Sequence, residues 1–360
     1  MNHTVKTTSQ PPDIKSLTLP ELSACLTRIG EKPYRAKQLY EWLHQKQASS
    51  FDEMTNLSKP LRSRLAECFR LPVLRQVQVQ ESKLDGTRKY LFALPDGNMI
   101  ESVLMKYRHG NSVCISSQAG CRMGCRFCAS AIGGLVRSLE PSEMLEQIYR
   151  IAEDTGERIS NVVVMGTGEP LDNFDNLLRF LELLTDENGM HVSQRSITVS
   201  TCGIVPRILE LADKKLQITL ALSLHAPQQE KRRMLMPVAA QYELSDVIRA
   251  CDYYFAQTKR RMTYEYSLIR GVNDGEEDAR LLGALLGGKN CHVNLIPVNP
   301  VKERDFEQPD SSTATAFKNK LEKNKINVTI RREMGRDIDG ACGQLRKKFL
   351  SCQAGRTETV

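Results

Sequence analysis

The chain has 360 residues, 41% of them apolar, which is enough for one large domain with a small appendage. No apolar run approaches membrane-spanning length, and residues 1–13 hold no apolar signal core, so a cytoplasmic protein without membrane contact is expected. Eleven cysteines, an odd number, argue for metal or redox chemistry over a secreted disulfide scaffold, and a net charge of +7 suits a nucleic-acid partner and a plain solvated basic surface equally.

In chain order, residues 1–13 read as a disordered leader and residues 14–70 as a small helical unit. Leu17, Leu22, Leu26 and Ile29 keep helical spacing, Gly30 breaks it, and Pro33 opens a second helix with Ala36, Leu39, Tyr40 and Leu43 on one face. A third, basic helix covers roughly 59–69. Residues 73–105 alternate like a β-meander with Asp85-Gly86 and Asp96-Gly97 as turns, so residues 71–111 are assigned as a β-meander linker.

From about 112 to 350 the texture becomes strand-then-helix, with residues 351–360 as a tail. Strands are predicted at Val113–Ser117, Asn161–Met165, Ser196–Ser200, Gln217–Leu222, Met262–Leu268 and His292–Ile296. Helices are predicted at Pro141–Glu153, Phe174–Leu184, Val205–Ala212, Leu244–Phe255, Glu276–Leu286 and Thr313–Lys323. Six such repeats predict an α/β fold with a parallel sheet, short of a closed eightfold barrel. A last strand, Val328–Arg332, precedes the segment that carries Cys342. Reactive groups in such folds collect at the carboxyl ends of the strands. That rim would hold the cysteines after the first strand, Gly166–Pro170, Ser200-Thr201, Ser223-Leu-His225 and Pro297-Val-Asn299.

Cys121, Cys125 and Cys128 have the spacing C-x-x-x-C-x-x-C with no fourth cysteine beside them. Soft thiolates this close suit iron–sulfur or zinc, and a structural zinc would want a fourth ligand nearby. Gly120 and Gly124 leave the loop free to wrap a cluster, and Phe127 is placed to shield it. The reading is a cluster with three protein ligands and one open iron. The Gly166-Thr-Gly-Glu turn allows close approach of a ligand, and Glu169 suits an ammonium, although such a turn alone is weak. Taken singly, His225 reads as a core histidine, Cys114 and Cys342 as small buried hydrophobes, and Glu101 as an exposed strand carboxylate.

Together, Cys114-Ile-Ser-Ser-Gln-Ala-Gly-Cys121, the cysteine loop, Gly166-Thr-Gly-Glu-Pro-Leu-Asp172, Ser223-Leu-His-Ala-Pro227 and Asp337-Ile-Asp-Gly-Ala-Cys-Gly-Gln-Leu345 resemble the RlmN/Cfr family. These are radical S-adenosylmethionine (SAM) enzymes that methylate adenosine in RNA. The resemblance runs from about residue 14 to 350. It implies a partial (β/α)6 radical SAM barrel with a small N-terminal helical accessory domain that binds RNA.

It also implies roles. Cys121, Cys125 and Cys128 would hold a 4Fe-4S cluster. Gly168, Glu169, Ser200, Ser223, Leu224, His225 and Asn299 would contact SAM. Cys342 would carry a methyl group taken from one SAM, and a second SAM, cleaved by the cluster, would generate the radical that activates it. Glu101 would accept the ring proton, and Cys114 would resolve the protein–RNA adduct through a transient disulfide with Cys342. An electron donor such as flavodoxin or ferredoxin and a thiol reductant are implied partners. Cys128-Ala-Ser-Ala-Ile-Gly-Gly134 and Pro170 look more like the RlmN branch, which acts on carbon-2 of adenosine-2503 in 23S rRNA and often adenosine-37 in tRNA. The Cfr branch, acting on carbon-8 and giving ribosomal antibiotic resistance, is the alternative.

Two other classes stay open. A radical SAM enzyme on a small molecule or peptide would have no use for Cys342, and an iron–sulfur RNA-binding protein would not cleave SAM. Cys25, Cys68, Cys202, Cys251, Cys291 and Cys352 match no role and read as structural. Basic clusters at Arg35/Lys37, Lys231-Arg-Arg233, Lys259-Arg-Arg261, Arg331-Arg332 and Arg346-Lys-Lys348 are candidate phosphate contacts. The target base would have to be flipped out of its stack to be reached.

Overall fold

The computed structural model describes residues 11–108, 110–300, 304–338, 343–346 and 348–349. Cys342, Cys352 and the leader before residue 11 lie outside the described residues.

Helices α1 (Leu19–Arg28), α2 (Tyr34–His44) and α3 (Lys59–Cys68) open the chain. α1 starts where Thr18 and Glu21 cap each other: the Thr18 amide donates to the Glu21 carboxylate at 2.8 Å and the Glu21 amide to the Thr18 hydroxyl at 3.5 Å. Leu22 and Leu26 of α1 and Ala36, Leu39, Tyr40 and Leu43 of α2 are buried as the helical spacing requires. The leader expected over 1–13 needs correction at its end. Asp13 is buried and bridges to Arg70, and its carboxylate accepts the Lys15 amide at 3.0 Å and the Ser16 hydroxyl at 2.6 Å.

Next come β1 (Arg75–Glu81), β2 (Arg88–Ala93), β3 (Met99–Tyr107) and β4 (Gly110–Ile115), joined antiparallel. A small hairpin, β5 (Gln118–Gly120) with β6 (Leu135–Ser138), brackets the cysteine loop. Then α4 (Pro141–Thr155), β7 (Ile159–Val164), α5 (Phe174–Thr185), β8 (Ile197–Thr201), α6 (Val205–Asp213), β9 (Thr219–Ser223), α7 (Gln229–Leu235), α8 (Leu244–Thr258), β10 (Met262–Leu268), α9 (Glu276–Leu286), β11 (Cys291–Pro297), α10 (Ser311–Lys323) and β12 (Asn327–Ile330) follow. The ten-strand order is β1-β2-β3-β4-β7-β8-β9-β10-β11-β12, and β4 and β7 through β12 run parallel. β1 and β12 are the two edges, so this is an open, partial α/β barrel. The meander expected over 71–111 is not a separate piece: β3 pairs with β4 and continues the barrel sheet.

The core follows from the period of each element. Leu220, Ala221 and Leu222 of β9 are fully buried, as in a strand covered on both faces. α5 turns Phe174, Leu177, Phe180, Leu181 and Leu184 inward, each worth about 1.5–3 kcal/mol on burial. The helical unit docks on α4. Lys15 and Glu146 form a fully buried ion pair, Arg150 donates to Ser49 at 2.6 Å and to the Gln47 carbonyl at 2.8 Å, and His44 Nδ1 lies 2.8 Å from the Tyr149 hydroxyl. No helix among the described residues is long and apolar enough to cross a membrane.

Candidate active site

The carboxyl ends of the parallel strands meet around a cavity of about 240 Å³. Cys121, Cys125, Cys128, Gly168, Glu169, Ser200, Ser223, His225 and Asn299 are all among its lining residues. The predicted rim is therefore real, and it gathers residues up to 178 positions apart (Cys121 to Asn299). Leu224 differs. It is fully buried in the core, its amide donates to the Glu265 carbonyl at 3.0 Å, and its side chain does not line the cavity.

The loop is shaped by glycine. Gly120 sits at φ +84°, and a Cβ there would collide with the Gly134 carbonyl that closes the β5–β6 hairpin. Gly168 sits at φ +110° with no room for a Cβ against Gln118 and Ser117. That close approach lets the Glu169 amide donate to Gln118 at 2.9 Å and fixes Glu169 over the cavity.

The three thiols fit an iron–sulfur cluster. Burial pushes the Cys121 thiol up to about 12 and the Cys125 thiol upward too, and the neighbouring thiols and Glu169 add to it in both. Three thiols lining one cavity would be held as thiolates by a bound cationic cluster, which offsets the cost that burial puts on their charged forms. Among the described residues, no three His, Cys, Asp or Glu side chains close on a single-ion position. Three soft thiol donors at this spacing, lining one cavity, suit an iron–sulfur cluster.

Glu169 accepts the Cys202 amide at 2.7 Å and the Leu171 amide at 3.1 Å, and burial raises its pKa. His225 takes a left-handed φ of +58°. Its Nδ1 accepts the Ser267 amide at 2.9 Å, so Nε2 carries the proton, and burial pulls its pKa down to about 3. It is a neutral imidazole, packed edge-on against Phe127 with ring centroids 4.7 Å apart.

Cys114 on β4 lies on the wall of an adjoining cavity of about 350 Å³. Ile296, Asn299 and Arg331 line both cavities and separate them. Glu101 on β3 is buried, in contrast to the exposed carboxylate that strand alternation suggests. It pairs with the buried Lys89 at 3.1 Å and accepts the amides of Gly343 at 2.6 Å and Arg346 at 2.5 Å. Gly343, at φ +80°, also leaves no space for a Cβ beside Ala129 and Ser130. The residue directly after Cys342 is thus held between Glu101 and the end of the cysteine loop.

Sequence reasoning missed four participants. Cys202, read as structural, lines the cavity and binds Glu169 through its amide; its place one residue past Ser200-Thr201 was the available signal. Glu265 lines the same cavity, accepts from Asn294 at 2.8 Å and has its pKa raised by burial; a charge inside the apolar Met262–Leu268 run marks it. Lys89 behind Glu101 and Arg232 behind Cys202 left no such mark. The basic cluster Lys231-Arg-Arg233 is also corrected. Lys231 pairs with Asp278 at 2.6 Å and Arg233 with Glu243, whereas Arg232 is fully buried and out of reach of a phosphate.

Comparison with known proteins agrees with this layout. Residues 13–71 match the profile described as the ribosomal RNA large subunit methyltransferase N-terminal domain, and residues 115–282 match the radical SAM superfamily. A protein of Lachnospira eligens named probable dual-specificity RNA methyltransferase RlmN is 64% identical over 94% of this chain and 97% of its own length. A protein of the same name from Lachnoclostridium phytofermentans is 61% identical over 94% and 95%. The crystal structure of a radical SAM methyltransferase from Sphaerobacter thermophilus superposes with a TM-score of 0.89 at 42% identity, covering 93% of this chain and 99% of that one. Similarity of this extent over both the helical unit and the barrel shows that the chain belongs to the RlmN family of radical SAM methyltransferases.

Proposed function

We infer that this chain methylates carbon-2 of adenosine in RNA, at adenosine-2503 of 23S rRNA and adenosine-37 of some tRNAs. The observation that carries the reading is the seat of the segment after Cys342. Gly343 and Arg346 are tied to Glu101 beside the cavity of Cys114, and that cavity adjoins the one lined by the three thiols.

Carbon-2 of adenine is electron-poor and flanked by two ring nitrogens, so it does not attack a methyl donor as a nucleophile. When bound, the 4Fe-4S cluster and SAM supply one-electron cleavage of a sulfonium, and SAM also supplies the methyl group. Cys121, Cys125 and Cys128 hold the cluster in the cavity that Gly168 and Glu169 also line. Glu169 receives the SAM ammonium, while Ser200, Ser223, His225 and Asn299 surround the rest. Neutral His225 offers Nε2–H as a donor without adding charge.

Cys342 would take the methyl group from one SAM, and the radical supplied by a second, reductively cleaved SAM would remove one hydrogen atom from that methyl so that its carbon can bond to the flipped base. Glu101 would take the ring proton of the resulting adduct as the adduct gives up one electron to the bound cluster. The Cys114 thiolate would attack the Cys342 sulfur and break its bond to the transferred carbon, which takes up a proton to become the methyl group of the base, and a thiol reductant would reopen the Cys114–Cys342 disulfide left behind. A flavodoxin- or ferredoxin-type donor supplies electrons, and these substrates and reductants place the work in the cytoplasm. The three-helix unit and the exposed Arg331 and Arg332 at the cavity mouth support an RNA partner.

The test is anaerobic reconstitution with SAM and an rRNA fragment, followed by nucleoside mass spectrometry. 2-Methyladenosine is the expected product. 8-Methyladenosine would move the chain to carbon-8 chemistry, and deoxyadenosine release without any methylated nucleoside would point to another substrate class.

A further inference from the structure

α7 carries three consecutive cations, and the middle one is anomalous. Lys231 and Arg233 each face a carboxylate, Asp278 and Glu243. Arg232 is fully buried, and no salt bridge is formed by it among the described residues. Its Nη2 donates to the Cys202 carbonyl at 2.6 Å and lies 3.5 Å from the Ser223 carbonyl, while Nε and Nη1 are buried without a hydrogen-bond partner. A buried guanidinium with two idle donors and no counter-charge is costly, and a fold keeps one where a charge is supplied from elsewhere.

The surroundings say where that charge arises. Burial works against the charge on Arg232, and the groups that favour it are the thiols of Cys202, Cys125 and Cys251. Cys202 lines the three-thiol cavity, and its amide holds Glu169. The end of α7 is stitched to the cysteine loop: the Arg126 amide donates to the Leu235 carbonyl at 2.9 Å, and Met236, which follows, lines the cavity. Gly203, at φ +103°, leaves space for the guanidinium, because a Cβ there would stand 3.2 Å from Nη2. Metal ligation requires thiolates, and of the proposed ligands Cys125 is the one whose charge would act on Arg232.

We propose that Arg232 is the fixed counter-charge of the iron–sulfur site, a positioning residue that raises the reduction potential of the cluster and favours its assembly. The inference rests on reading Cys121, Cys125 and Cys128 as cluster ligands. A nearby buried cation stabilises the reduced, more negative form, and removing it makes reduction harder. The guanidinium acts through the field and through Cys202, with no contact to SAM, because it does not line the cavity.

The experiment compares wild type, R232Q and R232K, reconstituted with iron and sulfide, by iron content, EPR-monitored redox titration and thermal melting with and without cluster. R232Q keeps a donor for Cys202 and loses the charge. Its cluster should be at least tenfold less reduced at a fixed potential, which is 59 mV for one electron. R232K should stay near wild type. Cluster-free R232Q should melt no lower than cluster-free wild type, because an uncompensated charge is gone. Coincident potentials for wild type and R232Q would overturn the proposal, and so would equal shifts in R232Q and R232K. A cluster-free R232Q that is markedly less stable or fails to fold would assign Arg232 a purely structural role and overturn it too. Failure of wild type to take up iron would instead overturn the cluster reading itself.

Discussion

The carboxylate of Glu101 accepts the amide hydrogen of Gly343 at 2.6 Å, across 242 residues of chain. The same carboxylate is paired with Lys89 at 3.1 Å. Strand β3 thus anchors the segment that follows Cys342, and one acidic group is bound into both the fold and the proposed chemistry.

Glu101→Gln should therefore fail in two ways. Lys89 loses its buried ion pair with Glu101, which should lower stability in denaturant unfolding. In reconstituted reactions the variant should still release deoxyadenosine but yield no methylated nucleoside, and the protein–RNA adduct should accumulate. Normal methylation by E101Q would remove Glu101 from the role of proton acceptor.

Gly168→Ala introduces a Cβ within 2.6–2.8 Å of Gln118 and Ser117 at a φ of +110°. The turn must move, and Glu169 moves with it. SAM affinity should fall by at least tenfold in calorimetric titration, while the three thiols still take up iron. Unchanged SAM affinity would show that the turn does not shape that pocket.

Glu169→Gln separates charge from shape. Burial raises the pKa of Glu169, so the folded state takes up its proton at a higher pH than the unfolded chain does. This group favours the fold below the ordinary glutamate range and loses that contribution as pH rises through the folded value. E169Q should remove that slope without lowering stability at neutral pH. Its SAM affinity should drop roughly ten- to hundredfold, the size of a lost charge-assisted hydrogen bond. In wild type, SAM binding should weaken on acidification and stay flat in E169Q.

His44 is an acid-sensitive joint between the helical unit and α4. Burial pulls its pKa down to about 3, with Lys15 adding to the effect. The unfolded chain takes up the proton near the ordinary histidine value and the folded chain does not, so stability is complete above about pH 6.5 and declines as pH falls toward 3. Wild type should lose about 1.4 kcal/mol more per pH unit than His44→Gln in that window. Parallel pH profiles for the two proteins would contradict this.

Much of the barrel was legible because its signals are local. β10 and α9 occupy the spans their periodicity predicts, Met262–Leu268 and Glu276–Leu286. The cysteine spacing and the Gly166–Pro170 turn were legible for the same reason. The β5–β6 hairpin was not, because it is three and four residues long and depends on Gly120 meeting Gly134. α7 was missed because Gln229–Arg233 has no apolar period.

The sequence by itself pointed to the class of chemistry: three closely spaced thiols, a glycine-rich turn after the second parallel strand, and two further cysteines in a family setting. Tertiary structure alone decided which charges are buried and what faces them. Glu101 became a buried anchor because the C-terminal segment returns to β3, and Arg232 left the surface because α7 is pinned to the cysteine loop. Burial and pairing depend on groups far apart in the chain, and no local pattern of residue types encodes them.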